Sequence, residues 1–170
     1  MASSIEDLRS PGLWRGVAAE FLGTLFLCLI GCGSCLSHEG PNWADFNPTI
    51  VQISLTFGLA VSTMVWCIGH ISGGHVNPAV TVGMLVARKI SLARGVLFVL
   101  AQCGGAVCGA AILWGLTPAE LVGKLGLTTL NGAVSVEQGF GVEFLITFVL
   151  VFTVFACCDA KRTDLKVKIL

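Results

Sequence analysis

The polar groups most able to do chemistry lie inside apolar sequence, and the triplet Asn77-Pro78-Ala79 stands out among them. Asn is a strong helix N-cap and Pro is favoured in the first helical turn, so the triplet predicts the start of a helix. If the Asn77 side-chain oxygen caps that helix, its amide NH2 stays free to donate to a water oxygen. The residues before the triplet offer backbone carbonyl acceptors, namely Gly73, Gly74 and His75. A helix N-terminus also carries about half a positive charge, which repels cations and protons.

Two glutamates, Glu20 and Glu143, also lie inside apolar stretches, where an ionisable side chain is costly and usually functional. A proton relay is one role open to them. The sequences around them form an internal repeat, because Ala-Glu-Phe-Leu-Gly-Thr at Glu20 recurs as Val-Glu-Phe-Leu-Ile-Thr at Glu143, an offset of 123 positions. The two copies end at Thr24 and Thr147.

Soft metal ligands occur at helical spacing in Cys32-x-x-Cys35-x-x-His38, near the end of the first apolar stretch. A metal site and incidental packing are both open there, but no fourth ligand is apparent. Most other cysteines sit inside apolar runs and do not form the polar, loop-rich pattern of a disulfide scaffold. We therefore expect no metal site, no cofactor and no set of catalytic residues, and the sequence does not predict an enzyme.

Composition predicts a membrane protein. Of the 170 residues, 55% are hydrophobic and only 12% are charged, which is more apolar than a soluble domain of this length tolerates. Lys and Arg number 10, as do Asp and Glu, so no global field attracts nucleic acid. We expect the chain to lie in a lipid bilayer and to have no nucleic-acid partner.

Four stretches are long enough to cross a hydrocarbon core of about 30 Å as helices. They are residues 13–36, 49–68, 92–116 and 139–158. Basic residues fall before the first stretch, between the second and third, and after the fourth, whereas the loop 37–48 has none. By the positive-inside rule both termini are predicted to be cytoplasmic. The predicted organisation is a cytoplasmic segment 1–12, a transmembrane domain 13–158 and a cytoplasmic tail 159–170.

The region of about 70–89 does not fit a simple four-helix arrangement. Residues 70–76 are Gly-rich and polar, and the run 78–89 predicts a helix about 18 Å long, roughly half the bilayer. We expect this segment to be re-entrant, returning to the side from which it entered. Irregular backbone at membrane depth is tolerated only where it is buried in protein or lines a water-filled cavity, so this loop is the candidate functional segment.

The run from His70 to Thr81, His-Ile-Ser-Gly-Gly-His-Val-Asn-Pro-Ala-Val-Thr, closely resembles the first pore loop of the aquaporin family. The paired Glu-x-x-x-Thr segments, Gln102 with the two glycines after it, and Cys-Asp-Ala-Lys-Arg at 158–162 are similar too. The resemblance covers residues 14 to about 164. It implies six spans and two half-helices, whose N-termini meet beside a single-file pore, and four subunits in a tetramer in the plasma membrane.

By this resemblance Asn77 is the first pore asparagine, and Phe57 is the aromatic residue of a narrow selectivity filter. A Phe there resembles the water-selective branch of the family; a packing or lipid-facing ring is the other interpretation. The resemblance favours a structural role for Glu20 and Glu143, each accepting hydrogen bonds from a pore loop. His75 either lines the pore as a neutral ring or packs against Glu20. Further intramembrane polar residues are assigned structural roles: Thr24, Thr147 and Gln102.

Three spans per repeat invert the second copy, so the repeat predicts a second loop near position 200, beyond residue 170. We therefore expect the chain to be truncated before the second Asn-Pro-Ala motif. A water channel is the leading hypothesis, although a chain with one loop leaves amides unsatisfied and is expected not to conduct alone. The alternative is a non-conducting short isoform that joins tetramers of full-length aquaporins. A proton-coupled transporter is opposed by the positive helix end.

Overall fold

The computed structural model describes residues 4–40 and 43–159 of the chain. Within these residues the helices are α1 Ser4–Leu8, α2 Pro11–Gly33, α3 Ile50–Ser72, α4 Pro78–Val86, α5 Leu92–Leu116 and α6 Val136–Cys157. A 3-10 turn, Ala119–Leu121, lies between α5 and α6. Between α2 and α3 lies a small antiparallel hairpin of β1 His38–Gly40 and β2 Trp43–Phe46, in which His38 pairs with Phe46 and Gly40 with Trp43.

Helices α2, α3, α5 and α6 are long and apolar enough to cross a membrane. The predicted all-α fold of four spans and one half-helix is thereby confirmed, with the hairpin as an addition that no sequence pattern indicated. Helix α5 has the predicted bounds, and α2 and α6 each begin two or three residues early. The predicted tail lies outside the described residues after residue 159.

Two predicted boundaries at the re-entrant segment were wrong. Helix α3 continues to Ser72, past the predicted end at 68, because Gly73 is the first residue to adopt the left-handed conformation (φ 94°) that ends it. Helix α4 has nine residues, a length of about 13 Å, because Arg88 turns the chain with a φ of 56°. The irregular backbone of the loop is therefore confined to residues 73–77.

Polar residues define where the five longer helices start. In each case a Ser, Thr or Asn side chain in extended backbone accepts a hydrogen bond from an N–H group of the first turn. These caps are Ser10, Thr49, Asn77, Ser91 and Ser135. The caps satisfy backbone donors that helices in lipid must not leave exposed.

The helices pack through glycines. A Cβ atom at Gly105 or Gly109 of α5 would overlap a backbone carbonyl of α2, so these two helices approach at backbone contact. Helix α3 packs on α2 and contributes Ile68 to a buried cluster with Ala19 and Val76. Helix α4 contacts both α5 and α6, while α6 itself has no buried residue. The loop 73–77 is thus enclosed by α2, α3 and α5.

Candidate functional site

The triplet Asn77-Pro78-Ala79 begins α4, as its sequence predicts. Asn77 has extended backbone, and its Oδ1 accepts a hydrogen bond of 2.8 Å from the Ala79 N–H. Pro78 occupies the first turn, where an N–H would lack a partner in any case. The Nδ2 amide of Asn77 makes no hydrogen bond with the described residues, and the side chain is only half-buried. The cap therefore leaves two N–H donors available to a ligand.

The backbone of the loop before Asn77 takes up left-handed conformations three times. Gly73 and Gly74 have φ values of 94° and 64°, which glycine adopts without strain. Val76 has a φ of 41°, an unfavourable conformation for a β-branched residue. Its side chain is buried with Ala19 and Ile68, so packing of α2 and α3 holds it in place. Backbone strain at this loop marks it as a segment whose shape is imposed by its surroundings.

Glu20 of α2 imposes much of that shape. Its Oε1 accepts hydrogen bonds from the His75 N–H at 2.9 Å and the Ser72 hydroxyl at 2.6 Å. Its Oε2 accepts from the Val76 N–H at 2.7 Å and from Gln102 Nε2 at 2.7 Å. The side chain is 0% exposed, so water cannot replace these partners. All four contacts are donors, which is the environment an ionised carboxylate requires.

A second layer of hydrogen bonds ties the loop to the first turn of α4 and to α5. Gln102 Nε2 also donates to Thr81 Oγ1 at 2.9 Å, and Thr81 Oγ1 lies 3.0 Å from His75 Nδ1 and 3.2 Å from the Asn77 carbonyl. The single Thr81 proton serves either the Asn77 carbonyl or His75 Nδ1. In the first case His75 carries its proton on Nδ1, and in the second on Nε2.

The direction of these bonds divides the loop into a bound side and a free side. The Gly74 N–H donates to Ser72 Oγ at 3.0 Å and the Gly73 N–H to the Gly69 carbonyl, while the next two amides bind Glu20. No hydrogen bond within the described residues ends on the carbonyls predicted as acceptors, those of Gly73, Gly74 and His75. The loop therefore offers three free acceptors next to the free amide donors of Asn77.

The structure places the His75 ring in the interior. Its exposed fraction is 6%, its Nδ1 faces Thr81, and its edge meets the Phe98 ring at a centroid distance of 5.5 Å. It is the backbone N–H of His75, and not the ring, that binds Glu20. The ring contacts lie with Thr81 and Phe98, and both predicted roles, packing against Glu20 and lining a pore, stay predictions.

Phe57 lies well away from the loop. Ile68 of α3 marks the level of the loop, because it packs beside Val76. Phe57 is 11 residues before Ile68, which is about 16 Å along the helix. Its ring rests on α2, where a Cβ at Gly31 would come within 2.7 Å of its Cζ atom. The ring is half-buried, so one side packs while the other stays accessible. Its membership of a selectivity filter stays a prediction.

The second copy of the repeat does not reach this site. Glu143 is exposed on α6 and its carboxylate makes no hydrogen bond with the described residues, and Thr147 is half-buried. In the first copy Thr24 is buried, and its hydroxyl has no hydrogen-bond partner among the described residues. Glu20 and Gln102 make hydrogen bonds around the loop, and the structural roles assigned to Glu20, Glu143, Thr24, Thr147 and Gln102 stay predictions.

Sequence reasoning assigned no role to Ser72 and Thr81. Both are buried hydroxyl residues that complete the hydrogen bonds of the loop. The available signal was their spacing: Ser72 directly precedes the paired glycines, and Thr81 lies one helical turn after Asn77, on the same face of α4. No group of three His, Cys, Asp or Glu side chains within 4–40 and 43–159 could hold a metal ion.

The family model described as "Major intrinsic protein" matches residues 7–170. The chain belongs to the major intrinsic protein family. It is 53% identical over 158 residues to Aquaporin-4 of Mus musculus and 51% identical over 155 residues to Aquaporin-4 of Homo sapiens, covering 91% of this chain and 48% of the relative in both cases. It is 45% identical over 156 residues to the Lens fiber major intrinsic protein of Ovis aries, covering 92% of this chain and 57% of that protein.

The chain therefore spans about half the length of the curated relatives it matches. The matched residues include α2, α3, α4 and α5, and with them the whole network around Glu20. The family assignment drawn from the loop motif is confirmed.

Proposed function

We propose that this protein forms part of a water channel, in which the 73–77 loop supplies one half of a single-file path. The observation that carries the proposal is the division of the loop into a bound and a free side. Three free carbonyls and the Asn77 amide form a short polar stripe of acceptors and a donor, in a chain that is otherwise apolar. A water molecule needs both kinds of partner once it leaves bulk solvent.

Charge selectivity follows from the position of the α4 N-terminus. The helix dipole concentrates positive charge at the point where the Asn77 amide is free, which opposes the passage of cations and protons. A proton relay through Glu20 is disfavoured, because both of its oxygens are occupied by donors that cannot accept a proton from it and stay bound. These features favour water over protons as the permeant.

We further propose that this chain belongs to the water-selective branch of the family, that it assembles as a tetramer, that it lies in the plasma membrane, and that both of its termini are cytoplasmic. The relatives named Aquaporin-4 and the Phe at position 57 support the first. The basic residues Arg9, Arg15, Arg88 and Lys89 support the last, since all would lie on one side of the bilayer.

Residues 1–170 contain one Asn-Pro-Ala loop, and the internal repeat predicts a second one. We propose that this length of polypeptide does not conduct alone and acts together with a second loop, supplied by further sequence or by a longer aquaporin subunit. Helix α6 supports this, because apart from its contact with α4 it has no buried residue and leaves most of its surface to a partner or to lipid. A non-conducting modulator of longer subunits is the second candidate on the same observation.

Stopped-flow shrinkage of liposomes tests both candidates. Vesicles receive residues 1–170 alone, a longer aquaporin subunit alone, or both together. The informative substitution is Asn77→Ser, which keeps an N-cap oxygen but removes the amide donors. We expect no permeability above empty vesicles for residues 1–170 alone, and altered permeability in the mixture that depends on Asn77.

Permeability of the mixture equal to that of the longer subunit alone, with no co-purification of the two chains, would overturn both candidates for residues 1–170. If the mixture has altered permeability and Asn77→Ser does not change it, the result would support the non-conducting modulator and oppose a pore made with the 73–77 loop. Circular dichroism of Asn77→Ser provides the control that the helices are intact.

A further inference from the structure

The N-terminal helix α1 is fixed to the start of α5 by a bidentate ion pair. Arg94 Nη2 donates to Asp7 Oδ1 at 2.6 Å and Arg94 Nε donates to Asp7 Oδ2 at 3.1 Å. The Ser91 hydroxyl, which also caps α5, donates to Asp7 Oδ2 at 2.5 Å. The Asp7 side chain is 9% exposed and the Arg94 side chain 22%, so the pair is partly shielded from solvent, and its two hydrogen bonds are charge-assisted.

The guanidinium held by Asp7 lies against the Phe98 ring, 5.6 Å from its centroid. Phe98 is one turn further along α5 and is 0% exposed. A Cβ at Gly16 of α2 would come within 2.9 Å of the ring, so the ring has no room to move toward α2. The position of Phe98 is thus set by Arg94 on one side and by Gly16 on another.

The same ring meets the His75 imidazole edge to face, with the two planes at 75°. His75 also makes a polar contact through its ring, the 3.0 Å approach of Nδ1 to Thr81 Oγ1. Its backbone carbonyl is one of the three free acceptors of the loop. A rotation of the His75 ring would therefore break its contact with Thr81, within the same residue whose backbone carbonyl is a free acceptor of the loop.

We propose that Asp7, Arg94 and Phe98 position His75, so that the N-terminal helix helps to set the shape of the 73–77 loop. Asp7 orients the guanidinium, the guanidinium supports the Phe98 ring, and the ring supports the imidazole. The consequence for permeation rests on the proposed function, whereas the effect on His75 does not. The role of Arg94 depends on its flat, forked guanidinium, which lysine does not reproduce even though it keeps the charge.

Nuclear magnetic resonance of 15N-labelled histidine tests the proposal in liposomes containing residues 1–170. The chain has three histidines, so the His75 imidazole signals are identified by their loss in His75→Gln. Asp7→Asn, Arg94→Lys and Phe98→Leu are expected to shift or split those signals, because each removes one link. The matched control is Arg15→Lys, since Arg15 is exposed and its guanidinium makes no ion pair or hydrogen bond with the described residues.

A double substitution tests whether the links act in series. Asp7→Asn added to Arg94→Lys is expected to move the His75 signals no further than Arg94→Lys alone, because both act through the guanidinium. If Asp7→Asn unfolds the protein, the contrast between Arg94→Lys and Arg15→Lys decides the question.

His75 signals unchanged by Arg94→Lys and Phe98→Leu would overturn the proposal, as would equal shifts in Arg15→Lys. The water assay with the longer subunit then distinguishes this inference from the proposed function. Permeability of every mixture equal to that of the longer subunit alone, with His75 shifted as expected, would sink the channel proposal while leaving the positioning role intact.

Discussion

Replacing Glu20 with Gln is the sharpest perturbation of the loop, because it changes one acceptor atom into a donor without changing size. Each carboxylate oxygen holds one backbone N–H and one side-chain donor: Oε1 holds His75 and Ser72, and Oε2 holds Val76 and Gln102. The side-chain donors can adapt, since the Ser72 hydroxyl rotates and the Gln102 amide can turn over. A backbone N–H cannot adapt.

Whichever way the new amide is oriented, its NH2 group faces either the His75 or the Val76 N–H. One buried backbone donor is then left without a partner, at a cost of about 1–3 kcal/mol, and the remaining bonds lose the charge that strengthened them. The total is on the order of 2–4 kcal/mol. Val76 adds to the effect, because its left-handed backbone is held by one of these bonds.

Hydrogen–deuterium exchange read at individual amides is the appropriate assay. If the substitution lowers the free energy of local opening of the loop by about 2–4 kcal/mol, exchange at the His75 or Val76 amide accelerates by roughly 30- to 1,000-fold. The internal repeat supplies the control, Glu143→Gln, since Glu143 has a similar local sequence but its carboxylate makes no hydrogen bond within the described residues. Unchanged protection of both amides in Glu20→Gln would refute the reasoning, and so would equal acceleration in the control.

Three further substitutions follow from the same structure. Gly105→Ala is expected to destabilise by about 1–3 kcal/mol in detergent unfolding, because the new methyl group overlaps an α2 carbonyl oxygen, whereas at Gly104 it meets an ordinary 3.5 Å contact and costs little. The Arg94 guanidinium that hydrogen-bonds Asp7 lowers the pKa of that carboxyl. The stability that the ionised Asp7 adds to the folded protein is therefore complete above the usual pKa of 3.8 and is lost as the pH falls through the lowered pKa. Asp7→Asn should remove that part of the acid dependence of unfolding. Gly31→Ala should displace the Phe57 ring, seen as a shift of its 13C signals that Phe57→Leu identifies.

The spans could be predicted closely because hydropathy over about 20 residues reports the membrane environment and not tertiary detail. The predicted bounds of α5, residues 92–116, are the ones that the structure shows. The errors fell where local and tertiary signals disagree. His70 and Ser72 are polar and suggested a loop, yet the helix continues because Ser72 is buried against Glu20. Arg88 ends α4 in a left-handed conformation that its residue type does not announce.

The site shows a similar division. The N-cap role of Asn77 is local and could be read from three residues, and the structure confirms it. That Glu20 binds the loop was implied only by the family resemblance. Its individual partners could not be read from local sequence, since they lie 52 to 82 positions away and depend on how α2 meets α3 and α5. The same holds for Asp7 and Arg94, which are separated by 87 positions and carry no motif.

The two copies of the repeat make this distinction directly. Glu20 and Glu143 sit in nearly the same six-residue sequence on apolar helices, yet one is 0% exposed with four donors around it and the other is exposed on α6. Similar local sequence therefore does not fix the burial of the glutamate, which at Glu20 is provided by the loop and the helices packed around it. This is why Glu143→Gln is a neutral control in residues 1–170. In a longer polypeptide with a second loop, the same substitution should behave like Glu20→Gln, and a neutral result there would argue against the functional equivalence of the two copies.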